Sequence, residues 1–382
     1  MGLYAAVTTG HDAGAIATVE VLGEGAGAAV GGIFISSGKQ SDFSVGEILY
    51  GHIVEGEERV DEVTVGVERK DLIAIHCHGN PLIVQRVMGM LAGAGAECVD
   101  GERFEELRIE TAGGLDTIER EVLFCYPRAM SFSGARLILG QAESGLRACA
   151  KRWVGANRLE EIVEEARVIL GRSKAAEVII GGCKAAIAGP PNSGKSTLLN
   201  ALCGQEKAIV THIEGTTRDY VTAESLTEPV LFTLVDTAGV DMELGLRSGK
   251  VEREAQEVSL EIVDGAGLVL LVVDGSCGEV RVDEELQRRL AGKAVVLVRN
   301  KADLRSGVKD IDGVCVSAKF GTGLNELRRV MVEAVGAGDF DLVAAVCFTE
   351  RQMELVRRLS ECRTGDEAMK LAWELLYGKF RV

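Results

Sequence analysis

The stretch Gly189-Pro190-Pro191-Asn192-Ser193-Gly194-Lys195-Ser196-Thr197 constrains this chain more than any other segment. It fits G-x-x-x-x-G-K-[ST], a loop whose backbone N–H groups wrap a phosphate chain. Apolar Ala185-Ala186-Ile187-Ala188 precedes it, as a buried strand should, and Thr197-Leu198-Leu199-Asn200-Ala201-Leu202 follows with helical character. The glycines permit the tight turn and let the backbone approach the phosphates. The N-terminus of the following helix adds partial positive charge at the same place. In this setting Lys195 reaches the β- and γ-phosphates and the Ser196 hydroxyl binds Mg²⁺. Asn192, Ser193, Gly194 and Thr197 complete the expected phosphate cradle.

Four further elements follow in the order such a site requires. Leu231-Phe232-Thr233-Leu234-Val235 is an apolar strand that runs into Asp236-Thr237-Ala238-Gly239. Its Asp236 can hold Mg²⁺ through water, and Gly239 lets its backbone near a γ-phosphate. Asn300-Lys301-Ala302-Asp303 ends another apolar strand. The Asp303 carboxylate suits the N1–H and N2 amino donors of guanine, a pair that adenine does not offer. Asn300 can bond the base edge or brace the loop, and Lys301 can pack along the ring. Ser317-Ala318-Lys319 offers a backbone N–H to guanine O6. Gly215-Thr216-Thr217-Arg218-Asp219 supplies Thr217, whose hydroxyl completes the Mg²⁺ shell. Each piece alone is matched by a Gly-rich turn or polar loop. Five in order imply GTP as ligand and substrate.

Composition bounds what surrounds this centre. A chain of 382 residues accommodates two or three domains. Its net charge of −16 argues against broad binding to nucleic acid or anionic membrane. Aromatics make up 4%, too few for a stacking surface along single-stranded nucleic acid. No signal segment or bilayer-length apolar run is evident, so a cytoplasmic location without membrane contact is expected. Ten cysteines lack a C-x-x-C pair and read as buried or free thiols in a reducing compartment.

Residues 1–105 alternate short apolar runs with Gly-rich turns, as at 14–21 and 31–35, and read as a small α+β N-terminal domain. Residues 60–67 alternate apolar and polar side chains as a strand does, and 81–91 carry helical spacing. Residues 106–182 become helical, with apolar positions every three to four residues over 159–170. Residues 183–336 alternate strand and helix, which implies a parallel α/β sheet. Residues 337–382 are helical again. The expected fold is therefore an α/β P-loop GTPase domain inserted in a helical domain, preceded by the α+β domain.

Val240 follows Asp-Thr-Ala-Gly, and valine cannot hydrogen-bond a water, so another group must orient the nucleophile. Asn192 either shapes the loop or offers a carboxamide oxygen to a monovalent cation that offsets transition-state charge. The wider pattern resembles the tRNA modification GTPase MnmE (TrmE) family. Thr211-His212-Ile213-Glu214-Gly215-Thr216-Thr217-Arg218-Asp219 looks like its cation loop. The resemblance implies K⁺ held by Asn192, Thr211, Ile213 and Thr216. Val251-Glu252-Arg253 matches the context of the family's water-orienting Glu, although the stretch from 236 to 252 looks about four residues longer than usual. The resemblance thus implies Glu252, with Lys195, as catalytic residues. Gly46-Glu47-Ile48-Leu49-Tyr50-Gly51-His52-Ile53 and Ile75-His76-Cys77-His78-Gly79 resemble the family's N-terminal domain. No further ligand pair accompanies His76, Cys77 and His78, so a zinc site is not expected. Members dimerise and work with an FAD-dependent partner, MnmG, on the wobble uridine of tRNA. The resemblance implies a homodimer and raises MnmG-like and tRNA partners.

The departures are equally specific. Tyr377-Gly378-Lys379 carries Tyr where the family's terminal Cys-x-Gly-Lys has its Cys. The tetrahydrofolate-binding Arg, Glu and Lys positions fall on Phe34, Ala74 and Gly114. None of these forms a charge-assisted bond. A retained GTPase with folate binding and modification chemistry lost or altered is therefore expected. Two other readings stand beside it. One is a GTP-dependent regulatory binding module without modification activity, and the other is a ribosome-assembly GTPase.

Overall fold

A computed structural model describes residues 2–9, 14–38, 42–155, 158–204, 222–237, 259–276, 284–304 and 312–380. The chain divides into two compact units, Met1–Leu115 and Asp116–Val382.

The first unit is a seven-stranded sheet in the order β3-β4-β5-β6-β2-β1-β7. Its strands are β1 (Tyr4–Val7), β2 (Ile16–Leu22), β3 (Phe34–Ser36), β4 (Ile48–Glu55), β5 (Glu58–Arg69), β6 (Leu72–His78) and β7 (Glu97–Cys98). All neighbours are antiparallel except β1 and β7. Helices α1 (Ala26–Gly31) and α2 (Pro81–Gly93) contribute Ala26, Ala29, Val30, Val87 and Leu91 to a core with Val19, Val21, Ile73 and Ile75. Helix α3 (Gly101–Thr111) buries Phe104 and Leu107 against Ala6, Leu22 and Leu72. Because strand side chains alternate between faces, these two clusters lie on opposite sides of the sheet. The Gly-rich stretch before β3 is a short helix, because Ala26, Ala29 and Val30 share one buried face at helical spacing.

The second unit combines helices with a six-stranded sheet in the order β13-β12-β11-β8-β10-β9. The strands are β8 (Cys183–Ala188), β9 (Thr222–Thr227), β10 (Val230–Asp236), β11 (Leu268–Asp274), β12 (Ala294–Asn300) and β13 (Val314–Cys315). All neighbours are parallel except the β9–β10 hairpin. β11 is buried at every position before Asp274, the pattern of a strand covered on both faces. Helices α8 (Lys195–Cys203), α9 (Glu284–Leu290) and α10 (Leu324–Ala334) accompany this sheet, and α8 and α10 bury Leu198, Leu202, Leu327 and Met331 in its core.

A separate helical core gathers α4 (Thr117–Cys125), α5 (Phe132–Glu143), α6 (Leu146–Val154) and α7 (Leu159–Gly181) with α11 (Glu350–Glu361) and α12 (Gly365–Tyr377). Trp153, Ile118, Ile138, Val356, Leu359 and Leu375 are among its fully buried side chains. A charged knot runs through it. Fully buried Glu121 accepts from Arg351 Nε at 2.6 Å and Nη2 at 2.9 Å, from Thr349 at 3.1 Å and from Gln352 at 2.7 Å. Arg351 also donates to the Glu374 and Leu375 carbonyls at the end of α12. Buried Gln141 donates to the Ala344 carbonyl and accepts from the Val346 N–H, and Ser173 accepts from the Cys347 N–H. Near the β9–β10 hairpin, the Ser131 hydroxyl lies within bonding distance of the Ile179 and Pro229 carbonyls, and the Met130 N–H donates to Ile180.

Among the described residues no helix is long and apolar enough to cross a membrane. Every described cysteine is a free thiol. Burial raises the thiol pKa of Cys125 and Cys347 to about 12 and of Cys183 to about 11.

Candidate nucleotide-binding site

The carboxyl ends of β8, β10, β11 and β12 lie along one edge of the parallel sheet. Ile187 stands opposite Asp236, Ala188 opposite Leu271, and Asn300 opposite Asp274. From β8 the chain first builds outward to β10 and β9, then crosses to β11 on β8's other flank. That reversal of strand order opens a crevice at the carboxyl end of β8, the usual ligand position in such sheets.

The phosphate-loop sequence occupies this crevice. Gly189 has φ 144°, and a β-carbon there would stand 2.1 Å from the Val272 carbonyl oxygen. Asn192 sits at φ 62° and is exposed. Gly194, at φ 92°, caps α8, whose first turn begins at Lys195. The Lys195 ammonium is buried and donates to the Gly189 carbonyl at 2.9 Å and the Pro190 carbonyl at 3.2 Å. Ser196 and Thr197 are exposed on the first turn of α8. The Ser193 side chain is buried, and among the described residues its hydroxyl oxygen has no bonding partner.

Two of the other elements converge on this loop. The Asn300 amide donates to the Ser193 carbonyl at 2.9 Å, and its carbonyl oxygen accepts from the Ala318 N–H at 3.0 Å. Asn300 thereby braces the phosphate loop against the Ser-Ala-Lys turn. A β-carbon on Gly194 would fall 2.3 Å from the Asn300 amide nitrogen, so this close approach depends on glycine. The Ser317 hydroxyl donates to Asp303 at 2.6 Å, and the Asp303 side chain lies at the exposed surface. Lys319 is exposed, with its ammonium 5.1 Å from the centre of the Phe320 ring.

Asp236 ends β10 with its side chain buried. Thr237 folds back onto β8, its hydroxyl donating to the Ile187 carbonyl at 2.9 Å. The sequence-derived residues Thr211, Ile213, Thr216, Thr217, Ala238, Gly239 and Glu252 lie outside the described residues.

One residue of this edge escaped the motif reading. Asp274 ends β11 and binds the Lys301 ammonium at 2.6 Å. The Ser276 N–H and hydroxyl both donate to its other oxygen. Burial works to raise the Asp274 carboxyl, but the bonds from Lys301 and Ser276 outweigh it and hold the group below its ordinary range. The available signal was the same one that marked Asp236, an aspartate closing an apolar strand.

In the first unit, His76, Cys77 and His78 take separate roles. His76 Nδ1 meets the Thr18 hydroxyl at 3.0 Å, the buried Cys77 thiol faces the Ala17 carbonyl, and His78 Nδ1 meets Asp61 at 2.7 Å. Among the described residues no group of three potential ligands is placed to hold a metal ion. At the folate-comparison positions, Phe34 and Ala74 are buried and Gly114 adopts φ 83°.

Residues 184–301 match the 50S ribosome-binding GTPase family. The tRNA modification GTPase MnmE of Parasynechococcus marenigrum (strain WH8102) is 32% identical over 94% of this chain and 88% of its own length. That of Alkaliphilus metalliredigens (strain QYMF) is 28% identical over 96% of this chain and 89% of its own. Among solved structures, the G domain of the T. maritima FeoB iron transporter is 27% identical, covering 40% of this chain and 98% of that one at a TM-score of 0.29.

Proposed function

Because the chain belongs to the MnmE family of tRNA modification GTPases and is a GTP-hydrolysing enzyme, we propose that its turnover is stimulated by K⁺. The observation that carries the site assignment is the Asn300 brace, which draws the phosphate loop and the base-selecting turns into one crevice. In this reading the backbone N–H groups of residues 192–197 and the start of α8 hold the phosphates. Lys195 offsets their charge, Asp303 selects guanine, and Ser317 fixes the carboxylate for that task. The donor set fits a hard divalent ion, since the exposed Ser196 hydroxyl belongs to the first turn of α8, which follows β8, and the Asp236 carboxylate ends β10, the strand beside β8. Mg²⁺ held by Ser196 and Asp236 would supply positive charge against the bound phosphates. Asn192 presents its carboxamide at the loop surface, where it suits a monovalent cation, with Thr211, Ile213 and Thr216 assigned to the same ion. Glu252 is assigned to orient the attacking water, and Thr217 to the Mg²⁺ shell.

The helical core built from both flanks of the α/β unit supports the reading of that unit as an insertion within a helical domain, with the separate α+β domain, expected over 1–105, extended through α3 to Leu115. The same reading includes a homodimer and tRNA, with an MnmG-like protein as the candidate partner. Buried Ala74 and Phe34 bring no charge to the positions compared with the folate site, which favours a GTPase that has lost or altered the one-carbon step. A one-carbon transfer assay on tRNA with the purified chain tests that part, and transfer would overturn it. The cation mechanism is tested by GTP turnover in K⁺ and in Na⁺, with and without Asn192→Ala. The expected result is faster turnover in K⁺ that the substitution abolishes, leaving the Na⁺ rate unchanged. Equal rates in both salts for the parent chain would remove it.

A further inference from the structure

We propose that Asp274 is a positioning residue for guanine recognition, acting through Lys301. The inference rests on the GTP site proposed above and extends it to a residue outside the five motif elements. Lys301 follows the end of β12 in the left-handed region, at φ 63°, a conformation uncommon for a residue with a side chain. Such backbone settings persist where the surroundings over-determine them and concentrate at ligand sites. Its side chain is partly exposed, at 32%. An unrestrained lysine there would sample many rotamers and lose that freedom whenever a base docked on its stem. The Asp274 carboxylate removes the freedom in advance by holding the ammonium at 2.6 Å.

Asp274 is itself held. Ser276 donates twice to one oxygen, at 2.9 Å from its N–H and 2.5 Å from its hydroxyl, which leaves the other oxygen to Lys301. The Gly275 N–H donates to the Asn300 carbonyl at 2.7 Å, and Asp274 stands opposite Asn300 in the sheet register. The ends of β11 and β12 are thus fastened to one another, and Asn300 fastens the same point to the phosphate loop. With its charge met by Asp274, Lys301 contributes a fixed aliphatic floor beside Asp303. Preorganisation of this kind raises affinity by cutting the ordering cost of binding.

The base is common to GDP and GTP, so a defect in its floor weakens both alike. The test measures GDP and non-hydrolysable GTP-analogue affinity for the parent, Asp274→Ala, Lys301→Met and the double variant. Lys301→Met keeps an apolar stem and removes the ammonium. Asp274→Ala is expected to weaken both nucleotides by the same factor, about tenfold for loss of a charged hydrogen bond, with turnover at saturating GTP retained. In the Lys301→Met background it should weaken them little further. Additive effects, or unchanged affinity in Asp274→Ala, would overturn the proposal. If Asp274→Ala fails to fold, Asp274→Asn serves in the same cycle, keeping an acceptor while losing the charge. A parent chain that binds neither nucleotide would instead refute the GTP site itself.

Discussion

At the scale of single residues, the site was legible where its chemistry is written contiguously. Lys195, Asp303 and Ser317 sit in short motifs whose residue types follow from phosphate and guanine chemistry. Asp274 belongs to no such motif, because its role depends on the register between two parallel strands. Asn300 was readable as either a base ligand or a brace, and the geometry makes it a brace, with both ends of its amide bonded to protein. Asp303 yields a sharp expectation. In the proposed site its carboxylate would accept from two guanine donors, whereas xanthine carries a carbonyl where guanine has an amino group. Asp303→Asn should therefore weaken GTP by at least about tenfold, as loss of a charge-assisted hydrogen bond implies. It should also improve xanthosine triphosphate relative to GTP. Competition binding checks both, and undiminished GTP affinity would remove Asp303 from the base pocket.

At the scale of elements, hydrophobic period identified the long helix α7 and the apolar strands, because their stripes are carried by the local sequence. It did not say where helices would dock. Residues 101–105 and 106–111 were divided between two expected domains, yet they form the single helix α3, and Phe104 and Leu107 bury together on the first sheet. Periodicity marks an apolar face but not its partner. The Glu121 knot was likewise invisible, since its members lie on α4 and α11, far apart in sequence. Breaking it has a large expected effect. Glu121 is fully buried, and removing its cation leaves a buried carboxylate held only by the neutral donors of Thr349 and Gln352. Arg351→Ala should cost about 3–5 kcal/mol in the unfolding of the helical core, the usual range for a broken buried pair. Urea denaturation followed by the fluorescence of Trp153 and Trp373, both on helices of this core, checks it, and a cost under about 1 kcal/mol, typical of surface pairs, would show that the knot is solvated.

At the scale of the whole molecule, the two compact units have separate cores, so their unfolding should respond to different substitutions. Glu20 on β2 provides the handle for the first. Burial raises its carboxyl above the ordinary range, with Glu68 and Glu105 adding to the rise, while the Thr8 hydroxyl and Arg108 partly oppose it. The folded state therefore holds this proton more tightly than the unfolded chain. Its stability contribution is present below the unfolded carboxyl value, near 4.3, and is lost as pH rises through the higher folded value. Glu20→Gln should raise the first unit's melting temperature at pH 7, with the gain shrinking toward pH 4. A gain independent of pH would mean that ionisation of Glu20 is not involved. Length and pattern placed the first boundary at 105, whereas the division between Leu115 and Asp116 follows from the packing of α3 on the first sheet.

The helical core takes side chains from both 118–180 and 345–376, with the whole α/β stretch between them. During synthesis on the ribosome, α4 to α7 therefore emerge long before α11 and α12 exist to cover them. The nascent protein must carry those apolar faces uncovered while the sheet assembles, the kind of exposure that leaves a partly folded chain open to aggregation.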